Sequence, residues 1–218
     1  ALGTAGIAAF TPAQLAALST AQLFGLTTTQ VNALGTAQVK ALTTAQVFGL
    51  STTQIQSLST SVAAALTSNQ AGALGTAQLS VLGTADAFAM STAALSALGS
   101  AQITALNSAD VLALTTTQFA ALSTGGIFAL TTAEAIALSA GDITALTKAQ
   151  VVALTTANIF ALTTAEIVAL TTADIPALTT NQIMALTTTE CAAFTSSQIP
   201  AFTDLQLGVM NTAQMSAL

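Results

Sequence analysis

Leu162-Thr163-Thr164-Ala165-Glu166-Ile167-Val168-Ala169 is an eight-residue pattern that runs, with variations, through the whole chain. Counting by eight from Leu2 gives 27 octapeptide units without insertion or deletion, and the count closes on Leu218. Position one is leucine except at Phe10, Met90, Phe194, Phe202 and Met210, which are also large and apolar. A fixed short period is the mark of a repeat architecture. Residues 1–218 are therefore read as a single continuous array, starting at Leu2 and ending with Leu218.

The other positions spell the start of a helix. Position two is always Thr, Ser, Gly or Asn, as in Thr163, Ser123, Gly75 and Asn107. These are preferred N-cap residues, because a short side-chain oxygen (or a bare glycine backbone) suits the open first turn. Position three is mostly Thr or Ser and accepts Pro12, whose missing N–H is harmless at the first helical residue. Position five is Gln, Glu, Asp or Asn in all but four units, the exceptions being Gly6, Val62, Ala94 and Gly126. Thr or Ser followed three residues later by Gln or Glu is the capping box. Position six is usually Ile, Val or Leu, five residues after the apolar position one, which is the spacing of the hydrophobic staple. Position eight is small.

A new helix start thus arrives every eight residues, before a second full turn is complete. Isolated helices this short are unstable in water. Burial of positions one and six against neighbouring units must supply the difference, at about 1.5–3 kcal/mol per large side chain. The expected fold is an all-α solenoid of very short helices of one to two turns, one per eight-residue repeat, held by nearest-neighbour packing. Pro176 and Pro200 at position seven agree with helices this short. The rival fold is a β-solenoid, favoured by the many Thr residues and by Ile and Val at position six. Frequent Ala, weak two-residue alternation and the cap residues at position two oppose it. No period of 16 or 24 is evident, so the number of repeats per superhelical turn is left open.

Composition narrows the functional classes. Of 218 residues 53% are apolar and only 5% are charged, against roughly a quarter charged in ordinary domains. There is no His, and Lys40 and Lys148 are the only cations. That removes the basic footprint of a nucleic-acid binder and a histidine-based catalytic group, so no enzymatic role is expected. No cofactor is implied. A Thr/Ser/Gly cluster interrupts the apolar residues every eight positions, so no transmembrane segment of about 20 apolar residues exists. The single Cys191 rules out an intrachain disulfide framework and replaces an aliphatic residue at position six, where a small buried hydrophobe is expected.

Seven of the eight acids stand at position five: Asp86, Asp110, Glu134, Asp142, Glu166, Asp174 and Glu190. The neighbouring pairs Glu134/Asp142 and Glu166/Asp174 are weak calcium candidates. A capping role is the stronger reading, because Gln fills the same slot more often and calcium loops concentrate several oxygen ligands around a turn glycine. Position seven varies most. Phe24, Phe48, Phe88, Phe128 and Phe160 stand there at irregular spacing and are candidate self-association residues. Two placements remain open for position seven, an outward interaction surface or a half-buried seam between units.

The run Leu-Thr-Thr-Ala-Gln/Glu-Ile/Val-x-Ala in residues 154–185 resembles tandem octapeptide tracts of very large bacterial surface or secreted repeat proteins, and the resemblance extends over the whole chain. It implies an extracellular or cell-surface protein that forms a rod, stalk, matrix or self-assembling filament. The implied partner is the protein itself, laterally or end to end, with cell-surface or matrix attachment through regions outside this chain. The array begins and stops inside its register with no atypical terminal unit, which invites end-to-end growth or continuation into further repeats. The alternatives are a solenoid binding module for a peptide, glycan or surface, and a β-solenoid that orders water or ice along threonine rows.

Overall fold

The computed structural model describes residues 3–218. Leu2, where the register begins, lies outside the described residues. Twenty-five α-helices and two 3₁₀ turns follow one another, one per octapeptide, with no strand among the described residues. The β-solenoid, and with it the ice-ordering threonine row, is thereby overturned. The cap residues at position two decide the matter, because their side chains hold the next backbone N–H groups in a helical turn.

Each repeat is a helix of four to six residues and an extended link. Leu42 (φ −61°, ψ 139°) and Thr43 (φ −72°, ψ 159°) form one such link before the Thr44–Phe48 helix. No described residue has a positive φ. The chain reverses direction through ordinary extended conformations at positions one and two, so the glycines found at position two are not required by backbone geometry. Pro12 opens the Pro12–Ala16 helix under a Thr11 cap. Pro176 and Pro200 sit in 3₁₀ turns, Ile175–Ala177 and Ile199–Ala201. Proline lacks the N–H for an i→i−4 bond and its ring crowds that carbonyl, so the repeat tightens to a single turn.

The helices stack by threes. Contacts divide the chain into two compact units, Ala1–Ser123 and Thr124–Leu218, built alike. In the first, Pro12–Ala16 packs on Thr36–Ala41, and Thr60–Ala65 on Thr84–Ala89. In the second, Thr132–Ile136 packs on Thr156–Ala161, and Thr188–Ala193 on Thr212–Ala217. Within each unit a helix thus meets the third one after it. Side-chain bonds described below reach back 28 to 31 residues, just short of four repeats. One superhelical turn, or coil, therefore takes between three and four repeats.

Positions one and six point inward, as the staple spacing requires. Ile7, Leu15, Leu23, Ile143, Ile167 and Ile183 at position six are fully buried, and Leu82, Leu98, Leu154 and Leu170 at position one are nearly so. In the first unit the space enclosed by Val31, Leu34, Val39, Leu42, Val47 and Leu50 is only about 10 Å³. That is at the threshold for one water, and these walls offer it no hydrogen bond. This stretch of the core is filled by its own side chains. Close approach of successive coils explains the small residues at position eight: a Cβ on Gly49 would lie 3.3 Å from the Thr20 Cβ.

Removing a core side chain here should be expensive, and removing an outer one should not. Ile183→Ala is expected to destabilise the chain by about 2–5 kcal/mol through lost burial and a residual cavity. Phe160→Ala, at an exposed position, should stay within about 0.5 kcal/mol. Denaturant unfolding of the two variants side by side reads the difference, and equal losses would contradict this assignment of inside and outside.

Candidate functional site

The position-five side chain is the most connected group in each repeat. Gln54 shows how. Its Oε1 accepts from the Ser51 backbone N–H at 2.8 Å, while the Gln54 N–H donates to Ser51 Oγ at 3.2 Å. This is the capping box expected from the sequence, and it recurs from Thr11/Gln14 to Asn211/Gln214. Where glycine holds position two only half the box forms: Gln38 Oε1 accepts from the Gly35 N–H at 2.7 Å, but glycine returns no side-chain oxygen.

The amide nitrogen of the same side chain reaches the preceding coil. Gln54 Nε2 donates to the carbonyls of Leu23, Phe24 and Leu26 at 3.0, 3.2 and 2.8 Å. Gln46 repeats this on Leu15, Ala16 and Leu18, and Gln78 on Val47, Phe48 and Leu50. In the second unit Gln182 donates to Val151 and Leu154, Gln198 to Ile167 and Leu170, and Gln214 to Ile183 and Leu186. The acceptors are the last carbonyls of a helix and the position-one carbonyl of the link after it; the position-six carbonyl also takes one local bond, as Leu23 does from the Leu26 N–H at 3.1 Å. One glutamine therefore satisfies the start of its own helix and the end of a helix one coil away. All these side chains are buried.

A carboxylate in this slot loses the donor, and in most repeats it keeps the cap. Glu134 accepts from the Thr131 N–H, Glu166 from Thr163, Asp142 from both the N–H and hydroxyl of Ser139, and Asp174 from both groups of Thr171. Each of the four calcium candidates is thus engaged in its own repeat. Among the described residues no group of three or more His, Cys, Asp or Glu assembles. Asp110 is fully buried and accepts from the Thr84 hydroxyl at 2.8 Å and Asn107 Nδ2 at 2.6 Å. Burial, and then the Asp110 charge, push the Asp86 carboxyl above its ordinary value. Burial also raises Glu190, against the lowering effect of its bonds to Thr187. Cys191 is fully buried at position six, and burial followed by the Glu190 charge raises its thiol to about 11. It is held as the neutral, unreactive form at neutral pH.

Position seven faces outward. Phe24, Phe48, Phe88, Phe128 and Phe160 are all more than half exposed, with Phe160 at 63%. The structure does not gather the five into one patch. It aligns position-seven residues 24 apart, on helices that pack on each other. Phe24 and Phe48 share one row in the first unit, and Phe88 and Leu112 another. In the second unit Phe128 pairs with Val152, and Ile136, Phe160 and Met184 form a row of three. An open groove of about 660 Å³ runs beside Ile136, Thr156, Ala157, Phe160 and Ala185.

Comparison with known families settles what kind of repeat this is. The family model of the ALTTAQ repeat matches residues 7–44, 32–60, 79–116, 151–188 and 167–204, together well over half the chain. The chain belongs to the ALTTAQ repeat family. Ala41-Leu42-Thr43-Thr44-Ala45-Gln46 spells the family's name outright. No curated protein matches the chain.

In this ALTTAQ array, sequence reasoning found the cap half of position five and missed the bond to the preceding coil. The capping box joins residues three apart and is visible in any one repeat. The Nε2 bond spans about 30 residues and depends on the number of repeats per coil. One signal was available: Gln outnumbers Glu in a slot where either would cap equally well. The rows at position seven were hidden for the same reason, and reading every third repeat reveals them.

Two alanine substitutions separate the two halves of the glutamine's work. Gln14 is exposed and bonds only Thr11 in its own repeat, so Gln14→Ala should cost about 1 kcal/mol, the value of a cap. Gln54→Ala removes the cap bond and two amide N–H groups shared among three carbonyls of the preceding coil, and should cost about 2–4 kcal/mol at roughly 1 kcal/mol per bond. Thermal unfolding of both variants measures the ratio, and equal costs would show that the coil-to-coil bonds carry no net stability.

Proposed function

We propose that this ALTTAQ array is a structural segment of an extracellular or cell-surface rod, stalk or self-assembling filament, without a catalytic role, whose partner is a second copy of itself. The repeats support a structural role directly. The observation that carries the finer reading is the outward row of large apolar side chains at position seven, such as Ile136, Phe160 and Met184, on a surface nearly free of charge. Most of the acids are buried in the position-five slot, so few like charges keep copies apart and little desolvation of ions opposes contact. A second copy carries the same rows, so apolar side chains on one copy can meet those on the other. The resemblance to bacterial surface tracts supports the placement outside the cell. With two lysines in the chain, nucleic acid is not among the partners we propose.

The groove beside Phe160 favours one second reading, a binding module that takes a peptide or glycan. Negative-stain microscopy and light scattering across a concentration series distinguish them. Rods or fibres of uniform width are expected from the wild-type chain. The double substitution Phe128→Ser with Phe160→Ser should abolish or strongly reduce them while leaving the melting temperature nearly unchanged. Compact particles at every concentration would overturn self-assembly. Saturable binding of a defined glycan or peptide, lost in the same double variant, would move the assignment to the second reading.

A further inference from the structure

Glu190 occupies a slot whose neighbours along the array are glutamines. Gln182 and Gln198, one repeat to either side, each use Oε1 for their own cap and Nε2 for carbonyls 31 and 28 residues back, at distances of 2.7–2.9 Å. Glu190 has the same length and is equally buried, at 3% exposure. It makes the same cap: Oε2 accepts from the Thr187 N–H, and the Glu190 N–H donates to Thr187 Oγ1. The Thr188–Ala193 helix that carries it packs on Thr164–Ala169 and Thr212–Ala217, as its neighbours pack on theirs. The equivalent carbonyls for Glu190 are those of Ile159 and Leu162. Where Gln182 and Gln198 present a donor, Glu190 brings a second oxygen.

We infer that Glu190 is a proton-operated latch between coils: one proton taken from water onto its second carboxyl oxygen lets it donate to the Ile159 or Leu162 carbonyl, as the glutamine amide does in the adjacent slots. Unprotonated, that oxygen has no hydrogen to give the carbonyls; protonated, it donates one. No bond other than O–H is made or broken, and the proton returns to water when the latch opens. The ionisable surroundings are sparse. The Thr156–Ala161 and Thr212–Ala217 helices bring none, Thr164–Ala169 brings Glu166, and the Glu190 helix itself brings Cys191. The raised carboxyl of Glu190 agrees with this geometry.

The sign follows from linkage. A carboxyl whose folded value lies above its ordinary 4.5 gives stability that is complete below the ordinary value and lost as the pH rises through the folded one. The Glu190 latch therefore closes on acidification and opens towards neutral pH. The test is thermal unfolding of the full chain, followed by far-UV circular dichroism from about pH 4, below the ordinary carboxyl value, to about pH 8. Glu190→Gln should melt above the wild type at the alkaline end, by about 2–4 °C, and the gap should close towards the acidic end. The reverse substitution in the neighbouring slot, Gln182→Glu, should melt below the wild type at the alkaline end and regain the loss on acidification. A Glu190→Gln variant that melts with or below the wild type throughout, or a gap of either variant that does not change with pH, would overturn the latch.

Discussion

A helix of five or six residues is mostly ends. Its first N–H groups and last carbonyls have no partner within it, and burying such groups unpaired is costly. An array of these helices, packed around an apolar core, holds only if both ends are served from elsewhere. The N-terminal end is served locally by Thr, Ser or Asn at position two and by the position-five oxygen. The C-terminal end is served locally only in part: the Ala45 carbonyl accepts from the Gly49 N–H and the Val47 carbonyl from the Leu50 N–H, before the chain leaves through two extended residues and starts the next helix. Further donors come from the following coil, as when Gln78 Nε2 meets the carbonyls of Val47 and Leu50. Primary amides suit this slot because one end accepts while the other donates.

From that requirement several regularities follow. Position five must be long enough to span from cap to neighbouring coil, and Asn158 shows the limit. Its shorter side chain still caps Thr155, and its Nδ2 keeps the acceptor 28 residues back, Leu130, but adds Thr131 in place of the position-six carbonyl. Position eight must be small, because the donor and acceptor coils approach closely. Positions one and six must be large and apolar to fill the interior. Position seven points outward. It can hold Asn32, Lys40 or Phe48 without disturbing the fold, and for that reason it carries whatever distinguishes one stretch of the array from another.

What the sequence made legible divides by distance along the chain. Caps, boxes and staples join residues three to five apart and are written out in every unit, so the short helices and the inward positions one and six could be read from a single repeat such as 162–169. The coil spans about 30 residues, and nothing within eight residues specifies it. The Nε2 bonds, the rows of position-seven residues 24 apart and the outward orientation of Phe160 all depend on that number. Glycine at position two is a different kind of miss: Gly75 and Gly99 fit the list of N-caps, yet they have no oxygen to complete the box, and the Gln side chain alone holds that helix start. The prolines were tolerated as expected, but by a change of helix type.

The same bonds account for the absence of insertions, which the sequence shows without explaining. A glutamine in one repeat is matched to carbonyls 28 and 31 residues earlier. One extra residue anywhere between them would put every glutamine over the next three to four repeats out of step with its acceptors, at about 1 kcal/mol for each bond lost and more for each carbonyl left buried and unpaired. In solenoids whose coils meet only through apolar contact, a loop can bulge outward and leave the stacking intact. Here the coils are also bonded in register. Length is therefore constrained as tightly as residue type, and unbroken counting by eight from Leu2 to Leu218 is the sequence-level trace of side-chain bonds made one coil away.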